Sequence, residues 1–369
     1  MAELPLMFDD AAQRPFADIE VDCHTTFFAS LGQHSAPIGT GRIVSTYSST
    51  VALDIVARVT RNRTGDVALL HPTFDNIADL FHARGLRLHP VTEQDLDCDS
   101  WHIPAQVGAL VLVSPNNPTG WVLDCSRLRQ VAERCAAAGA MFILDASFRG
   151  QDTRAQYDTY EVLDGVGCDW IVVEDTGKLW PVSELKSGFL AWSGHLRLDL
   201  VRAVSEVLLS VSPVILSLIT RLAMDGAAGG YAAMRTALRT NRSILSDALE
   251  PAQLHLTDPS AQISVARVTL PSDGPDAENL YHDLVRRGVH TLPCQPFHWA
   301  RPHEGARFLR LSIARPPATV ERAVRELVAS ASAWNLRATS QPGTMLSGSW
   351  PSPADELTLP PFQKATMSE

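Results

Sequence analysis

The stretch formed by residues 172–180, VVEDTGKLW, places a lysine shortly after a run of apolar residues. Lys178 follows two acidic residues and lies three positions beyond Asp175. A lysine at the end of a buried strand can act as a nucleophilic amine, provided that its surroundings allow it to lose a proton near neutral pH. By themselves these nine residues are more typical of a solvated loop, so the rest of the sequence has to decide.

Three further polar stretches follow short apolar runs, at the points where strands would end. They are HPTFDN after DVALL, SPNNPTG after GALVLV and DASFRG after MFIL. Segments of helical character separate the runs, and glycine closes two of them, in HARG and AAAG. This alternation predicts an α/β fold with a mainly parallel sheet. Because ligand groups gather at the carboxyl ends of parallel strands, we expect all four stretches to line one crevice.

The order of the predicted elements divides the chain into two domains and two terminal segments. Residues 41–245 form a large α/β domain that ends in a long helical region. Residues 246–335 show strand, helix, strand and helix in turn, which predicts a smaller α+β domain. We expect the N-terminal segment, residues 1–40, to associate with the small domain. Residues 336–369 are rich in Ser, Pro and Thr, which predicts a disordered tail.

The composition argues against several classes of partner. The 369 residues include 31 basic and 41 acidic side chains, a net charge of -10 that disfavours nucleic acid. No run of about 18 apolar residues or signal peptide is evident, which disfavours a membrane. The cysteines lack CxxC spacing, which predicts free thiols, no metal site and a cytoplasmic location. They are Cys23, Cys98, Cys125, Cys135, Cys168 and Cys294.

Taken in order, the four polar stretches resemble those of pyridoxal-phosphate (PLP) enzymes of the aspartate aminotransferase fold, or fold type I. The resemblance covers about residues 40–330 and depends on the succession of motifs rather than on any single one. It implies that residues 41–245 bind PLP and that the chain forms a homodimer. In that family, the lysine at the position of Lys178 forms a Schiff base with the cofactor.

The resemblance also implies contacts to the cofactor ring. Asn117, in SPNNPTG, stands where the family has an asparagine that donates to the phenolic oxygen. Asp145, in FILDASF, stands where a carboxylate pairs with the pyridine nitrogen and keeps the ring cationic, so that the ring accepts electrons from the substrate. Phe74, in HPTFDN, stands where an aromatic side chain stacks on the ring, although a phenylalanine of the core is the competing interpretation.

The phosphate of the cofactor is expected to lie near a helix N-terminus. Ser48, Ser49 and Thr50 open a predicted helix, whose N–H and hydroxyl groups would hold the anion, although an ordinary helix cap has the same local sequence. Lys186 lies eight residues after Lys178, where many relatives carry an arginine that pairs with the phosphate. Lysine is a point charge, so this pairing would be looser.

The resemblance assigns the substrate α-carboxylate to an arginine. Arg310, in RFLRLSIAR, matches the position of that arginine. A guanidinium suits the role because its planar fork donates two parallel hydrogen bonds to a carboxylate. Arg307 and Arg315 are the less favoured candidates.

Two departures from the aminotransferase pattern are informative. Phe148 stands where aminotransferases commonly have a tyrosine, so Ser147 is expected to supply the missing hydroxyl beside Asn117. Asp175 stands where relatives have a phosphate-binding serine. Because two anions repel each other in a desolvated site, we expect Asp175 to face away from the phosphate. A cationic substrate would give it a partner, and a guanidinium fits a carboxylate well.

These departures, with the phrases HPTFDNIADL, EDTGKLWP, VSPVILSLI and LPCQPFHWA, resemble the PLP-dependent arginine oxidases and 4-hydroxylases that supply enduracididine for nonribosomal peptide antibiotics. The resemblance implies oxidation of L-arginine by dioxygen, without metal or flavin, to 4-hydroxy-2-oxoarginine and some 2-oxoarginine. Lys178 would shuttle protons, Arg310 would bind the carboxylate and Asp175 the guanidinium. Both an α and a β proton would be removed, and one base near neutral pKa could serve each step.

Several alternatives stay open. The arginine oxidases carry an N-terminal arm over the substrate, and residues 1–40 show no counterpart of its first part; a less closed site would release 2-oxoarginine early. An aminotransferase acting on arginine or another amino acid is the main alternative. A desaturase or a cyclising lyase would use the same residues. A PLP-binding regulatory domain would carry a basic DNA-binding module, and the sequence shows none.

Overall fold

The computed structural model describes residues 4–180 and 183–340. The helices are α1 Leu4–Gln13, α2 Phe16–Ser30, α3 Ser49–Arg61, α4 Asp75–Ala83, α5 Glu93–Asp97, α6 Cys125–Ala138, α7 Thr159–Val166, α8 Leu200–Leu208, α9 Pro213–Asp225, α10 Tyr231–Leu249, α11 Ala277–Arg286 and α12 Pro317–Ser340. The strands are β1 Ile43–Thr46, β2 Asp66–Leu70, β3 Arg87–Val91, β4 Ala109–Val113, β5 Met141–Asp145, β6 Trp170–Asp175, β7 Gly188–Trp192, β8 His255–Leu256, β9 Val265–Thr269, β10 Leu292–Pro293 and β11 Phe308–Ser312.

Seven strands form the sheet of the large domain, in the order β1-β7-β6-β5-β4-β2-β3. The pairs from β6 to β3 are parallel, whereas β7 is antiparallel to both of its neighbours. The central strands β2, β4, β5 and β6 are buried along their whole length, as their unbroken apolar runs predict for strands covered on both faces. The predicted α/β class and mainly parallel sheet are confirmed.

Two glycines close helices as the sequence predicts. Gly85 follows α4 with φ 74°, and Gly139 follows α6 with φ 64°. Both values lie in the left-handed region, which glycine enters without a steric penalty, so each helix ends there and the chain turns back into the next strand. These turns bring successive strands into the sheet with the same direction.

The small domain contains a separate antiparallel sheet in the order β10-β11-β9-β8. Its core joins the apolar faces of α11 and α12 to β9 and β11, and includes Leu238 and Leu245 of α10. Tyr231, at the start of the same helix, belongs to the core of the large domain. Helix α10 therefore runs through both cores, and the predicted boundary at residue 245 falls inside it.

The N-terminal segment packs differently from the prediction. Helices α1 and α2 lie against α9, and Ile19, Phe27 and Phe28 of α2 are fully buried in the core of the large domain. The expected association of residues 1–40 with the small domain is therefore wrong. The apolar residues of α2 are interspersed with polar ones, and the local sequence does not indicate which domain covers the helix.

The predicted start of the tail is also wrong, because α12 continues to Ser340. The remainder of the predicted tail, residues 341–369, lies outside the described residues. Within residues 4–180 and 183–340, no single helix is long and apolar enough to cross a membrane. Only the sharply bent pair formed by Leu200–Leu208 and Pro213–Ala252 reaches that length and composition when its two parts are added together.

Candidate active site

All the site residues predicted from the sequence line one cavity of about 920 Å³ at the carboxyl edge of the parallel strands. This volume is in the range of small-molecule sites. The residues are Ser48, Ser49, Thr50, Phe74, Asn117, Asp145, Ser147, Asp175, Lys178, Lys186 and Arg310. Strands β1, β2, β4, β5 and β6 end at this edge and β7 begins there, which explains why residues so far apart in sequence meet. Arg310 comes from β11 of the small domain, so the cavity lies between the two domains.

Lys178 lies in the turn after β6, with its side chain exposed to the cavity. Its Nζ lies 5.8 Å from the ring centre of Phe148. The backbone of the turn is held by Gln151, whose Nε2 donates to the carbonyl oxygen of Lys178. The Oε1 of Gln151 accepts from the backbone N–H of Ser264, 2.7 Å away in the small domain. The amine is therefore free in the cavity while its main chain is fixed to both domains.

Asp145 is a buried carboxylate at the end of β5. The backbone N–H of Ser147 donates to its Oδ1 at 2.9 Å, and the Ser147 hydroxyl donates to the same oxygen. Burial raises the pKa of Asp145 to about 6, and nearby Asp175 raises it as well, whereas the Ser147 hydrogen bonds and Lys178 lower it. The expectation that Ser147 assists Asn117 is wrong here, because its hydroxyl is committed to Asp145.

A buried network of hydrogen bonds around Glu93 determines the position of Asn117. Neighbouring Asn116 donates to Oε1 of Glu93 at 2.8 Å, and the Thr119 hydroxyl donates to the same oxygen at 2.5 Å. Burial raises the pKa of Glu93, and the two hydrogen bonds oppose that shift. The network holds the turn of SPNNPTG from both sides of Asn117, whose Oδ1 faces Arg310.

The start of α3 forms the end of the cavity assigned to the phosphate. Ser48 is the N-cap, and its hydroxyl accepts from Val51 N–H at 3.2 Å. The N–H and hydroxyl of Ser49 donate to Oδ2 of Asp175 at 2.8 and 2.7 Å. A Cβ on Gly188 would lie 2.5 Å from the Ser48 carbonyl carbon, so only glycine lets β7 begin this close to α3.

Asp175 therefore faces the predicted phosphate site, and the expectation that it faces elsewhere is wrong. The physical reason is that its carboxylate caps α3, where the N–H groups and the helix dipole attract an anion. It also accepts from Gly177 N–H within its own turn. The phosphate would then be held by Thr50, Lys186 and the N–H groups of α3 that Asp175 leaves uncommitted.

Arg310 extends from β11 into the cavity. Its Nη1 donates to Asn117 Oδ1 at 3.4 Å, and its guanidinium lies 5.1 Å from the ring centre of Phe297. Its buried Nε has no hydrogen-bond partner among the described residues. Burial lowers the pKa of Arg310, because the buried guanidinium has lost part of its solvation. An anion bound beside it would restore a charge partner and would also accept a hydrogen bond from Nε. Arg315 also lines the cavity, whereas Arg307 donates to three carbonyl oxygens elsewhere.

Three residues of the site were not identified from the sequence. Glu93 follows β3 and Gln151 lies in the segment after β5, so strand-end position was a signal that could have found both. Asp225, at the end of α9, also lines the cavity. Nothing in the local sequence distinguishes this helical aspartate from a solvated one.

The cavity fits PLP on three observations. A buried carboxylate is present for the ring nitrogen, a helix N-terminus with a nearby lysine is present for the phosphate, and Lys178 lines the same cavity. Such a site defines a PLP-dependent enzyme of fold type I. When bound, PLP supplies an electron sink next to the α-carbon of an amino acid.

Sequence comparison identifies the family. The profile of the family Aminotransferase class I and II matches residues 21–327, so the chain belongs to this family and PLP is its cofactor. The matched curated relatives include a threonine-phosphate decarboxylase of Sinorhizobium sp, 30% identical over 124 residues. Histidinol-phosphate aminotransferase 2 of Caulobacter vibrioides is 25% identical over 158 residues. The chain spans 34% and 41% of the length of these two proteins, and the matches cover the same shares of the chain.

Solved structures extend the comparison to most of the chain. The structure of MppP soaked with the product 2-ketoarginine is 41% identical, with a TM-score of 0.86, and the match covers 89% of this chain and 93% of that one. A double mutant of Thermus thermophilus aspartate aminotransferase is 16% identical, with a TM-score of 0.74, and the match covers 89% and 88% of the two chains. The second likeness shows the fold alone.

The ionisation of Asp145 predicts how cofactor affinity depends on pH. A protonated carboxyl cannot pair with a ring cation, so we expect the affinity for PLP to fall by about tenfold per pH unit below the pKa of about 6. The dissociation constant can be measured by titrating the cofactor-free protein with PLP and following visible absorbance. Asp145→Asn is the control, because asparagine does not ionise. Any pH dependence of PLP affinity that remains in this variant comes from the cofactor or from other groups of the protein. Identical pH profiles for the two proteins would contradict the role of Asp145.

Proposed function

We propose that the protein catalyses PLP-dependent, dioxygen-dependent oxidation of L-arginine to 4-hydroxy-2-oxoarginine, with 2-oxoarginine as a side product. The observation that carries this proposal is the 41% identity to MppP, a protein whose structure was determined with the product 2-ketoarginine. The match covers 89% of the chain, so it includes both domains and the cavity between them. Ammonia and hydrogen peroxide are the expected by-products.

The charges of the cavity suit a substrate with an anion at one end and a cation at the other. Arg310 has an unpartnered buried Nε among the described residues and would bind the α-carboxylate. Asp175 and Asp225 both line the same cavity and offer carboxylates to a guanidinium. Of the two, Asp175 is 5% exposed, and a buried carboxylate gains more from a cationic partner than one in water.

Lys178 is the base that this mechanism requires. Its amine is exposed to the cavity. Among the described residues, the cavity lining includes one further lysine, Lys186, which is assigned to the phosphate, and no histidine. Lys178 would remove the proton from the α-carbon and then from the β-carbon, and its fixed main chain would keep the amine within reach of both. Gln151 supports this geometry by holding the Lys178 carbonyl oxygen.

The main alternative is an aminotransferase that acts on arginine or another amino acid. Phe148 offers no hydroxyl where aminotransferases commonly have tyrosine, and it packs with Ile263 and Val265 of the small domain. The wall beside Lys178 is therefore apolar. This feature favours the oxidase, because a nonpolar co-substrate such as dioxygen is more compatible with an apolar wall than with a polar one.

We also propose that the protein is a homodimer, that it is located in the cytoplasm and that its product supplies enduracididine biosynthesis. The dimer is supported by exposed apolar side chains beside the cavity edge. Tyr47, Val207 and Leu209 are 44%, 49% and 83% exposed, and the Tyr47 hydroxyl donates to the Ser210 carbonyl oxygen in the same surface. A monomeric mass in light scattering would contradict the dimer.

The function is tested by supplying L-arginine and dioxygen, without a 2-oxo acid, to the PLP-loaded protein. We expect oxygen uptake with formation of peroxide and ammonia, and a product mass that corresponds to 2-oxoarginine with one added oxygen. The measurement combines an oxygen electrode with mass spectrometry of the products. Lys178→Ala is the matched control, and it should lose both the visible absorbance of the lysine-bound cofactor and all turnover.

Two outcomes would contradict the proposal. The first is absence of oxygen uptake while amino transfer occurs once a 2-oxo acid is added, which would identify an aminotransferase. The second is oxygen uptake with an amino acid other than arginine as the better substrate. Formation of 2-oxoarginine alone would retain the oxidase and remove the hydroxylation step.

The assignment of Asp175 predicts a change in selectivity. L-Citrulline has nearly the shape of arginine but no charge at its end, so it tests the contact to the guanidinium. We expect Asp175→Asn to lower the ratio of kcat/KM for arginine over citrulline by about 10- to 150-fold, the value of one hydrogen bond to a charged group. PLP affinity should change much less, because the amide oxygen can still accept from Ser49.

Asp225→Asn is the matched variant for this experiment. If Asp225→Asn lowers the ratio and Asp175→Asn does not, the guanidinium lies at Asp225 instead. Asp175→Asn could instead weaken PLP binding as much as arginine binding and leave the ratio of kcat/KM for arginine over citrulline unchanged. In that case the role of Asp175 is to anchor α3 near the phosphate.

A further inference from the structure

A cluster of two histidines and a glutamate lies outside the cavity, where the two domains meet. His71 follows β2 in the large domain, whereas His298 and Glu304 lie between β10 and β11 in the small domain. Nε2 of His71 is 3.3 Å from Oε2 of Glu304, and Nδ1 of His298 is 3.8 Å from the same oxygen. One ligand atom from each side chain lies within 4.8 Å of the other two.

Three of the four ring nitrogens in this cluster lack a hydrogen-bond partner among the described residues. His71 is 1% exposed and His298 is 5% exposed. Among the described residues, neither Nδ1 of His71 nor either ring nitrogen of His298 has a hydrogen-bond partner. Buried polar atoms are satisfied in nearly all native structures, and a bound ion is one explanation for an exception. Of these three nitrogens, Nδ1 of His298 faces Glu304, and an ion held between them would give this nitrogen a partner.

We propose that His71, His298 and Glu304 form a binding site for a divalent transition metal ion, preferentially zinc. Zinc prefers imidazole nitrogen and carboxylate oxygen, with bonds of about 2.0–2.2 Å, which places tetrahedral ligand atoms roughly 3.3–3.6 Å apart. The observed separations of 3.3 and 3.8 Å lie near that spacing. The rings of His71 and His298 are perpendicular, with centres 5.3 Å apart, so they approach the common position from different directions.

The surroundings hold the three ligands in place. Trp299 packs edge-on against His71 and donates from Nε1 to the Leu70 carbonyl oxygen at 2.9 Å. His298 stacks on the ring of Phe308 at an interplanar angle of 3°. Arg301 pairs with Oε1 of Glu304 at 3.1 Å, so it orients the carboxylate and leaves Oε2 to the ion.

The ionisation of the histidines agrees with this geometry. Burial lowers the pKa of His71 and lowers that of His298 to about 4, so both rings are neutral near pH 7 and need not lose a proton to bind an ion. Arg267 and Arg301 contribute to these shifts, and their positive charge also repels a cation. The affinity is therefore expected to be lower than that of a zinc finger.

Binding would couple the two domains close to the active cavity. His71 lies three residues before Phe74, which lines that cavity, and Thr73 N–H donates to the Phe297 carbonyl oxygen in the loop that carries His298. An ion held by both domains would keep this contact closed. The role is structural, because the three ligands do not line the cavity.

The test uses the PLP-loaded protein after treatment with a chelator, followed by equilibrium dialysis against Zn²⁺ with metal analysis. Cobalt(II) serves as a second probe, because its visible absorption reports tetrahedral coordination. His298→Gln and Glu304→Gln remove one ligand each, and His303→Gln is the matched control, since His303 is an exposed histidine next to Glu304. Visible absorbance of the bound cofactor reports that each variant is folded.

We expect stoichiometric zinc in the wild type and in His303→Gln, with a rise in melting temperature on metal addition. The affinity should be weakened by more than about tenfold in His298→Gln and in Glu304→Gln. Glu304 is partly exposed, so its variant is decisive if His298→Gln does not fold. Failure of the wild type to retain zinc, or unchanged affinity in Glu304→Gln, would overturn the site. These readouts do not use turnover, so they are independent of the proposed arginine oxidation.

Discussion

The buried carboxylate of Asp145 is the constraint on which the site depends. It lies at the end of a fully buried strand, where an anion is stable only with hydrogen bonds or a cationic partner. Ser147 supplies the hydrogen bonds, and the pyridine nitrogen of bound PLP would supply the cation. Asp175 lies close enough to raise the pKa of Asp145, whereas Lys178 lowers it, so the neighbouring charges act on this carboxylate in opposite directions.

The residues behind the cavity explain how its geometry is maintained. Glu93 holds the turn that presents Asn117, and Gln151 connects the backbone of Lys178 to the small domain. The small domain also contributes Arg310, which contacts Asn117 of the large domain. A change in the relative position of the domains would therefore move Arg310 and the amine of Lys178 together. The proposed metal site lies at this same junction.

Asp175 stands where the resemblance to aminotransferases predicts a phosphate-binding serine. A serine at this position would donate to the phosphate, whereas Asp175 accepts two hydrogen bonds from Ser49 at the start of α3. The carboxylate thus takes a place at the helix N-terminus where an anion is favoured. Its remaining acceptor capacity is available to a cation in the cavity. The same residue can therefore stabilise the end of the cavity and favour a guanidinium substrate.

The sequence by itself determined the class of fold, the parallel core strands and the residues at their carboxyl ends, because buried strands and strand-end polar residues are local patterns. It did not determine the domain that covers α2, the hydrogen bond of Ser147 to Asp145, the direction of Asp175, or the roles of Glu93 and Gln151. Each of these depends on which elements meet in three dimensions. The cluster of His71, His298 and Glu304 is the clearest case, since His71 comes from the large domain and lies far from the other two in sequence. Only the tertiary structure brings such distant side chains to within a few ångströms of each other.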